Sequence, residues 1–266
     1  MGLRDGLRSL PVNLTDSVRL LARFGDRVVD EPVSAGISAV PFESAMAVRS
    51  FFSWPGKRNY EGSWWSSTMR AHVGFESLLE RDFAMLADHD GDVVGISSQP
   101  FALLWPHGTE HARGHVPDFF LRLRDGGGRV VDVRPVGHAD SAADQFEMSR
   151  QACQEVGWEY EVFTGIPEPL GSNVRWLAGY RQDRFAPGAE VLPAIAAAFA
   201  EETPMKVGVR RVARGVGLDR SMVHAHVLNL LFTGVLTADH SQPLALDSPV
   251  SIAVEWPEQI GLEAAS

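Results

Sequence analysis

Residues 129–135 read RVVDVRP, an aspartate set among valines. Val130, Val131 and Val133 make the stretch apolar on both sides of a two-residue alternation. That is the pattern of a strand covered on both faces, hence of a layered α/β domain. A carboxylate in such a strand is costly unless it is paired or metal-bound. The fold must therefore bring a partner to Asp132. Alternation puts Arg134 on the same face, so an Asp132–Arg134 ion pair is one solution and a bound cation another.

The flanking sequence supplies the layers. FESLLERDFAMLADHD, from residue 75, places Phe75, Leu78, Leu79, Phe83 and Leu86 at helical spacing. Extended runs follow at 93–105, 115–123 and 129–135, and RDGGGR turns the last two into an antiparallel hairpin. DSAADQFEMSRQACQEVG predicts a helix ending at Gly157, WEYEVFTG a strand, and SNVRWLAGYRQDRF a helix capped by Ser172 or Asn173. This α/β unit is expected to end near residue 185. Upstream, LTDSVRLLARFG suggests a short helix from Thr15 or Asp16 and DEPVSAGISAVP a loop. Residues 49–70 interleave Phe51, Phe52, Trp54, Tyr60, Trp64 and Trp65 with Arg49, Lys57, Arg58 and Arg70. Such a stretch either stacks bases and contacts phosphates or packs as a hydrophobic flap.

After RFAPGAEVLP, a Pro/Gly linker, the pattern becomes helical: LPAIAAAFAEE, VGVRRVARGVG and DRSMVHAHVLNLLFTG, the last capped by Asp219 or Ser221. TADHSQPLALDSPVSIAVEW then alternates as a small β-wing. Three helices and a wing are a winged helix-turn-helix pattern. Lys206, Arg210, Arg211, Arg214 and Arg220 oppose only Asp219 between residues 203 and 230, a local excess of cations in a chain of net charge −10. Phosphate contacts, a protein docking surface and a solvated helix face all fit that excess.

Composition narrows the classes. The chain has 266 residues, 45% of them hydrophobic and 22% charged, an ordinary globular balance. No apolar run is long enough to span a membrane, and the N-terminus lacks an apolar signal core, so a cytoplasmic protein is expected. The single cysteine, Cys153, allows no internal disulfide and reads as a buried small hydrophobe. His107, His111 and His115 read as solvated loop histidines. His224 and His226 are spaced so that they do not face each other. Phosphate-loop, dinucleotide and serine-hydrolase motifs are lacking.

The remaining chemistry is acidic. Glu76 and Glu80 lie one helical turn apart, Asp118 opens a strand and Asp132 lies in the partner strand. Glu80, Asp118 and Asp132 could hold a hard divalent ion through oxygen. The alternatives are a turn residue at Asp118 and a surface pair of Glu80 with Arg81 or Arg124.

The same residues carry a resemblance. PD before hydrophobics, then D-x-R after a valine run, resembles the PD-(D/E)xK nuclease pattern. VGFESLLERDFAMLADHDGDVVGISSQP, HVPDFFL and VVDVRP are similar to the N-terminal domain of TnsA-like endonucleases, the end-cleaving subunits of heteromeric transposases. The similarity covers about residues 58–185, including WEYEVFTG and NVRWLAGYR. It implies an α/β restriction-endonuclease-like core over 58–186 and a winged-helix-like domain over 190–266, with residues 1–57 of unknown role. It implies Mg²⁺- or Mn²⁺-dependent DNA cleavage, with Glu80, Asp118 and Asp132 as catalytic metal ligands and Gln99 as a structural residue. The family lysine falls on Arg134, which stays charged and cannot act as a base, though it can stabilise phosphate charge. A non-cleaving DNA-binding or assembly subunit is therefore the second reading, and a defence or repair nuclease a third. Implied partners are DNA, a DDE-type transposase and an AAA+ ATPase regulator. Lys57, Arg58, Arg210, Arg211, Arg214 and Arg220 are the candidate DNA contacts.

Overall fold

The valine run is a strand with neighbours on both sides. In the computed structural model, which describes residues 10–49, 60–108, 114–137 and 143–253, the chain is mixed α/β and divides into two compact units. One comprises the described residues to Asp88 with Asp92–Gly165; the other comprises His89–Gly91 and the described residues from Ile166.

The first unit contains β1 (Arg19–Phe24), β2 (Arg27–Pro32), β3 (Gly62–Ser66), β4 (Ala71–Phe75), α1 (Leu78–His89), β5 (Val93–Ser98), β6 (Phe101–Leu104), β7 (Phe119–Leu123), β8 (Gly128–Val133), α2 (Ala143–Val156) and β9 (Glu159–Phe163). Its main sheet has the order β5-β7-β8-β9. β7 and β8 form the expected antiparallel hairpin, and β9 joins β8 in parallel after the α2 crossover. Register separates two faces. Phe119 opposite Val131 and Phe163 opposite Val133 turn toward α1, where Phe83 packs 4.9 Å from Phe119 and 5.1 Å from Phe163 by ring centroids. Phe120 and Val130 turn the other way, into a core with Ala152, Cys153 and Val156 of α2.

A second sheet, β2-β1-β6, shares that core. Phe42, Phe101, Phe120 and Trp158 meet there with ring centroids 5.1–6.1 Å apart. Gly128 is required beneath them, because a Cβ would stand 2.7 Å from both Phe120 and Trp158. Residues 10–49 thus belong to the first unit. The helix expected near Thr15 is strand β1. Val18, Leu20, Ala22 and Phe24 also alternate, and pairing with β2 and β6 selects that period by burying Leu20 and Ala22. Gly157 ends α2 as expected, at φ +86° with its N–H on the Cys153 carbonyl.

β3 and β4 form a hairpin. Asp88 holds it, accepting from Trp64 Nε1 (3.0 Å), Ser66 Oγ (2.7 Å), Ser67 N (3.0 Å) and Thr68 N (2.9 Å). Trp64 and Trp65 are partly buried here, which matches the flap alternative for this part of residues 49–70. Phe51, Phe52, Trp54, Lys57 and Arg58 lie outside the described residues.

The second unit contains α3 (Leu170–Ala178), α4 (Leu192–Phe199), β10 (Thr203–Pro204), α5 (Met205–Val216), α6 (Arg220–Phe232), β11 (Leu236–Ala238) and β12 (Pro249–Ile252). Its strands form a sheet of order β10-β12-β11. Asp219 caps α6 as expected, accepting from Ser221 N at 2.7 Å. α3 departs from expectation twice. It begins before Ser172 and Asn173, and Glu168 takes the Ser172 N–H at 3.0 Å. Asn173 instead donates to the Gln242 carbonyl and accepts from Leu244 N, both at 2.8 Å. α3 therefore belongs to the second unit, which starts before the Pro/Gly linker at 187.

Candidate active site

Asp118 lies just before β7, where its backbone carbonyl accepts the Gln99 N–H at 2.9 Å. Its Oδ2 accepts from Val133 N at 2.7 Å and from Arg134 Nη1 at 3.1 Å. Arg134 Nη1 also donates to the Val133 carbonyl, and its guanidinium lies 5.9 Å from the Phe146 ring centre. Arg134 is thus paired with Asp118, not with Asp132 or Glu80. Asp118 is 8% exposed. Burial, then the charge of Asp132, pushes its pKa up; the Val133 N–H and Arg134 only partly offset this.

Asp132 is 0% exposed. The expected Asp132–Arg134 pair gives way to two other partners. His115 Nε2 lies 2.8 and 2.9 Å from the carboxylate oxygens, and Tyr160 donates its hydroxyl to Oδ2 at 2.5 Å. A carboxylate accepts, so His115 Nε2 carries a proton and donates it. Burial and the neighbouring Asp132 push the Tyr160 phenol far up, so it stays a donor. The same two causes push the Cys153 thiol up to about 12, which makes it inert. His115 is therefore not a solvated loop residue. Its backbone bridges Leu103, and its side chain also lowers the Asp118 pKa. Two signals for it existed: a lone buried aspartate demands donors, and HVPD sets His115 three residues before Asp118.

Glu80 sits in the first turn of α1. Its Oε2 accepts from Glu76 N at 2.7 Å and its Oε1 from Ser77 Oγ at 2.9 Å, while Ser77 Oγ accepts from Glu80 N at 3.1 Å. This reciprocal arrangement is a form of capping box. Glu80 pairs with neither Arg81 nor Arg124 in this geometry. Burial raises its pKa, with a smaller upward contribution from Asp118. The three candidate carboxylates are thus linked in series: Glu80 feels Asp118, and Asp118 feels Asp132. Among the described residues no group of three or more His, Cys, Asp or Glu side chains is disposed to hold a metal ion. Glu80 and Asp118 nevertheless suit a hard cation, because positive charge would relieve both desolvation and mutual repulsion. Each Glu80 oxygen accepts one local hydrogen bond, whereas Asp132 is fully buried with its oxygens held by His115 and Tyr160.

Gln99, expected to be structural, is 1% exposed and adopts φ +48°, a left-handed backbone unusual for a non-glycine residue. Neither polar atom of its side chain has a hydrogen-bond partner among the described residues. Strained backbone and an unpaired buried amide beside Asp118 mark a costly position.

In the second unit Arg210, Arg211, Arg214 and Arg220 are all exposed. No protein-family model matches the chain, and no curated protein matches it.

Proposed function

We propose that this chain is a metal-dependent DNA endonuclease of the TnsA-like kind. The observation that carries the reading is Asp118: a buried carboxylate raised in pKa by burial and by Asp132, joined to Arg134 and electrostatically linked to Glu80. Asp118 and Glu80 would hold Mg²⁺ or Mn²⁺. When bound, such an ion offsets phosphate charge and supplies a hydroxide nucleophile at neutral pH. Asp132 acts at one remove, fixing the His115 ring beside Asp118. Arg134 offers a guanidinium to a phosphate oxygen.

The order α4-β10-α5-α6-β11-β12, with three strands closing one sheet, supports a winged-helix-like reading of the second unit. Its exposed arginines would contact DNA. No helix among the described residues is long and apolar enough to cross a membrane. A DDE-type transposase partner and an AAA+ ATPase regulator follow from the resemblance alone, and a cytoplasmic setting from the composition.

Nicking of supercoiled plasmid in millimolar Mg²⁺ or Mn²⁺ tests the reading. Asp118→Ala should abolish nicking while the protein stays folded. Arg134→Lys should raise it about tenfold, because a shiftable ammonium orients water better than a guanidinium. Undiminished nicking by Asp118→Ala removes the assigned site. The second reading, a non-cleaving scaffold, is favoured by the engagement of both Asp132 oxygens and by the Asp118–Arg134 pair. It leads if the folded protein gives no calorimetric heat with either ion.

A further inference from the structure

The basic residues of the second unit do not form one patch. Lys206 and Arg210 stand one turn apart on α5, and Arg220 and His224 one turn apart on α6. These four line a single cleft of about 510 Å³, with Tyr180 and Ser221. Arg211 and Arg214 are not among its lining residues; they follow a different row of α5.

We propose that this cleft binds a phosphate monoester. Two acids temper its charge. Asp247 pairs with Lys206 at the exposed rim, and Asp219 turns its carboxylate onto the Ser221 N–H. Lys206, Arg210 and Arg220 outnumber these two acids, so the cleft keeps a positive surplus that draws a monoester, which carries about −1.5 to −2 at pH 7, more strongly than a singly charged phosphodiester. The guanidinium groups of Arg210 and Arg220 come from different helices, so they can approach separate oxygens of one phosphoryl group.

His224 closes the α6 side of the cleft. Its Nε2 is buried without a hydrogen-bond partner among the described residues. Burial also lowers its pKa, so the ring forms part of the cleft wall rather than adding a cation to it. The cleft exceeds what a bare phosphate fills and falls in the usual size range of small-molecule sites. Its concave form favours a compact terminal group over the convex backbone of a duplex. The Tyr180 ring gives a flat group attached to the phosphate something to lie against.

Two sources carry this chemistry, a free nucleotide and the 5′-phosphate at a strand end. Only the second rests on the nucleic-acid reading above. Calorimetry on the full chain with adenosine 5′-monophosphate, and with adenosine as control, reads the site without any cleavage assay. Binding should need the phosphate. The double variant Arg210→Gln with Arg220→Gln should weaken it about tenfold or more, through lost charge-assisted contacts. Arg175→Gln with Arg184→Gln should leave it within about twofold, because these exposed residues lie off the cleft. Thermal melting checks that each variant is folded.

Equal binding of adenosine, no heat with millimolar nucleotide, or equal losses in both double variants overturns the proposal. Competition then assigns the source. If a hairpin oligonucleotide with a 5′-phosphate displaces the nucleotide better than its 5′-hydroxyl twin, a strand end is the ligand. If the two hairpins compete equally poorly, the ligand is a free nucleotide. If both compete equally well, the cleft reads phosphodiester backbone and the monoester assignment fails.

Discussion

Asp118 and Asp132 solve the problem of a buried carboxylate in different ways. Asp132 has two side-chain donors, His115 and Tyr160. Asp118 has one backbone N–H and one guanidinium, and its pKa is raised. A carboxylate whose folded pKa exceeds its unfolded value weakens the fold whenever it is ionised. Below the ordinary value of 3.8 the group is neutral in both states, and its stabilising contribution is lost as pH rises through the raised folded value. Asp118→Asn should therefore raise the melting temperature at pH 7–8 by about 2–4 °C, the effect of ~1 kcal/mol in a protein of this size. The gain should vanish as pH falls toward 3.8. Mg²⁺ should stabilise the wild type and not the variant. A gain independent of pH would show that charge is not its cause. The cost of Asp132 was legible in the sequence, since valines surround it. The need for donors and the HVPD spacing pointed toward His115, but the pairing itself is made by the bridge to Leu103 and the fold of the sheet.

At the level of elements, legibility followed how strongly one period dominated. α1, α2 and the β7–β8 hairpin carry unmixed patterns and formed as expected. Residues 18–24 satisfy helical and strand spacing at once, so the partner strands decide. The β3–β4 hairpin was hidden for another reason: much of its anchoring rests on Asp88, at the far end of α1. Asp88 is 5% exposed and collects two side-chain and two backbone donors from the hairpin. As an acid in the last turn of a helix, it is opposed by the helix dipole. Asp88→Ala should therefore relieve the dipole slightly and strand several donors. The net loss is about 2–4 kcal/mol, since each buried unpaired group costs ~1–3 kcal/mol and some regain water. Faster proteolysis between residues 60 and 75 and a red-shifted Trp emission would report it. Unchanged protection would mean that the aromatic packing, rather than Asp88, fixes the hairpin.

At the scale of the whole molecule, composition placed the domain boundary at the Pro/Gly run near 187, whereas packing places it after Gly165. The reason lies in side chains that no linker rule detects. Asn173 of α3 bonds the 242–244 segment from both ends of its amide. Asn229 of α6 donates to the Tyr180 carbonyl at 2.8 Å, and His226 Nδ1 meets the Phe185 carbonyl at 2.7 Å. Val174, Leu177 and Ala178 are buried. Cutting at 186 would separate α3 from these partners, leaving apolar surface on one fragment and unpaired Asn229 and His226 on the other. Cutting at 165 leaves the β2-β1-β6 sheet, the main sheet and their shared aromatic core intact. Fragment 1–165 should therefore melt cooperatively and bind little of a hydrophobic dye, while 1–186 should bind more dye and aggregate sooner on heating. Fragment 166–266 should fold, whereas 187–266 should show helix by circular dichroism without a cooperative transition. The reverse ranking, with 1–186 more soluble than 1–165, would mean that α3 completes the first unit and that the linker at 187 is the true boundary.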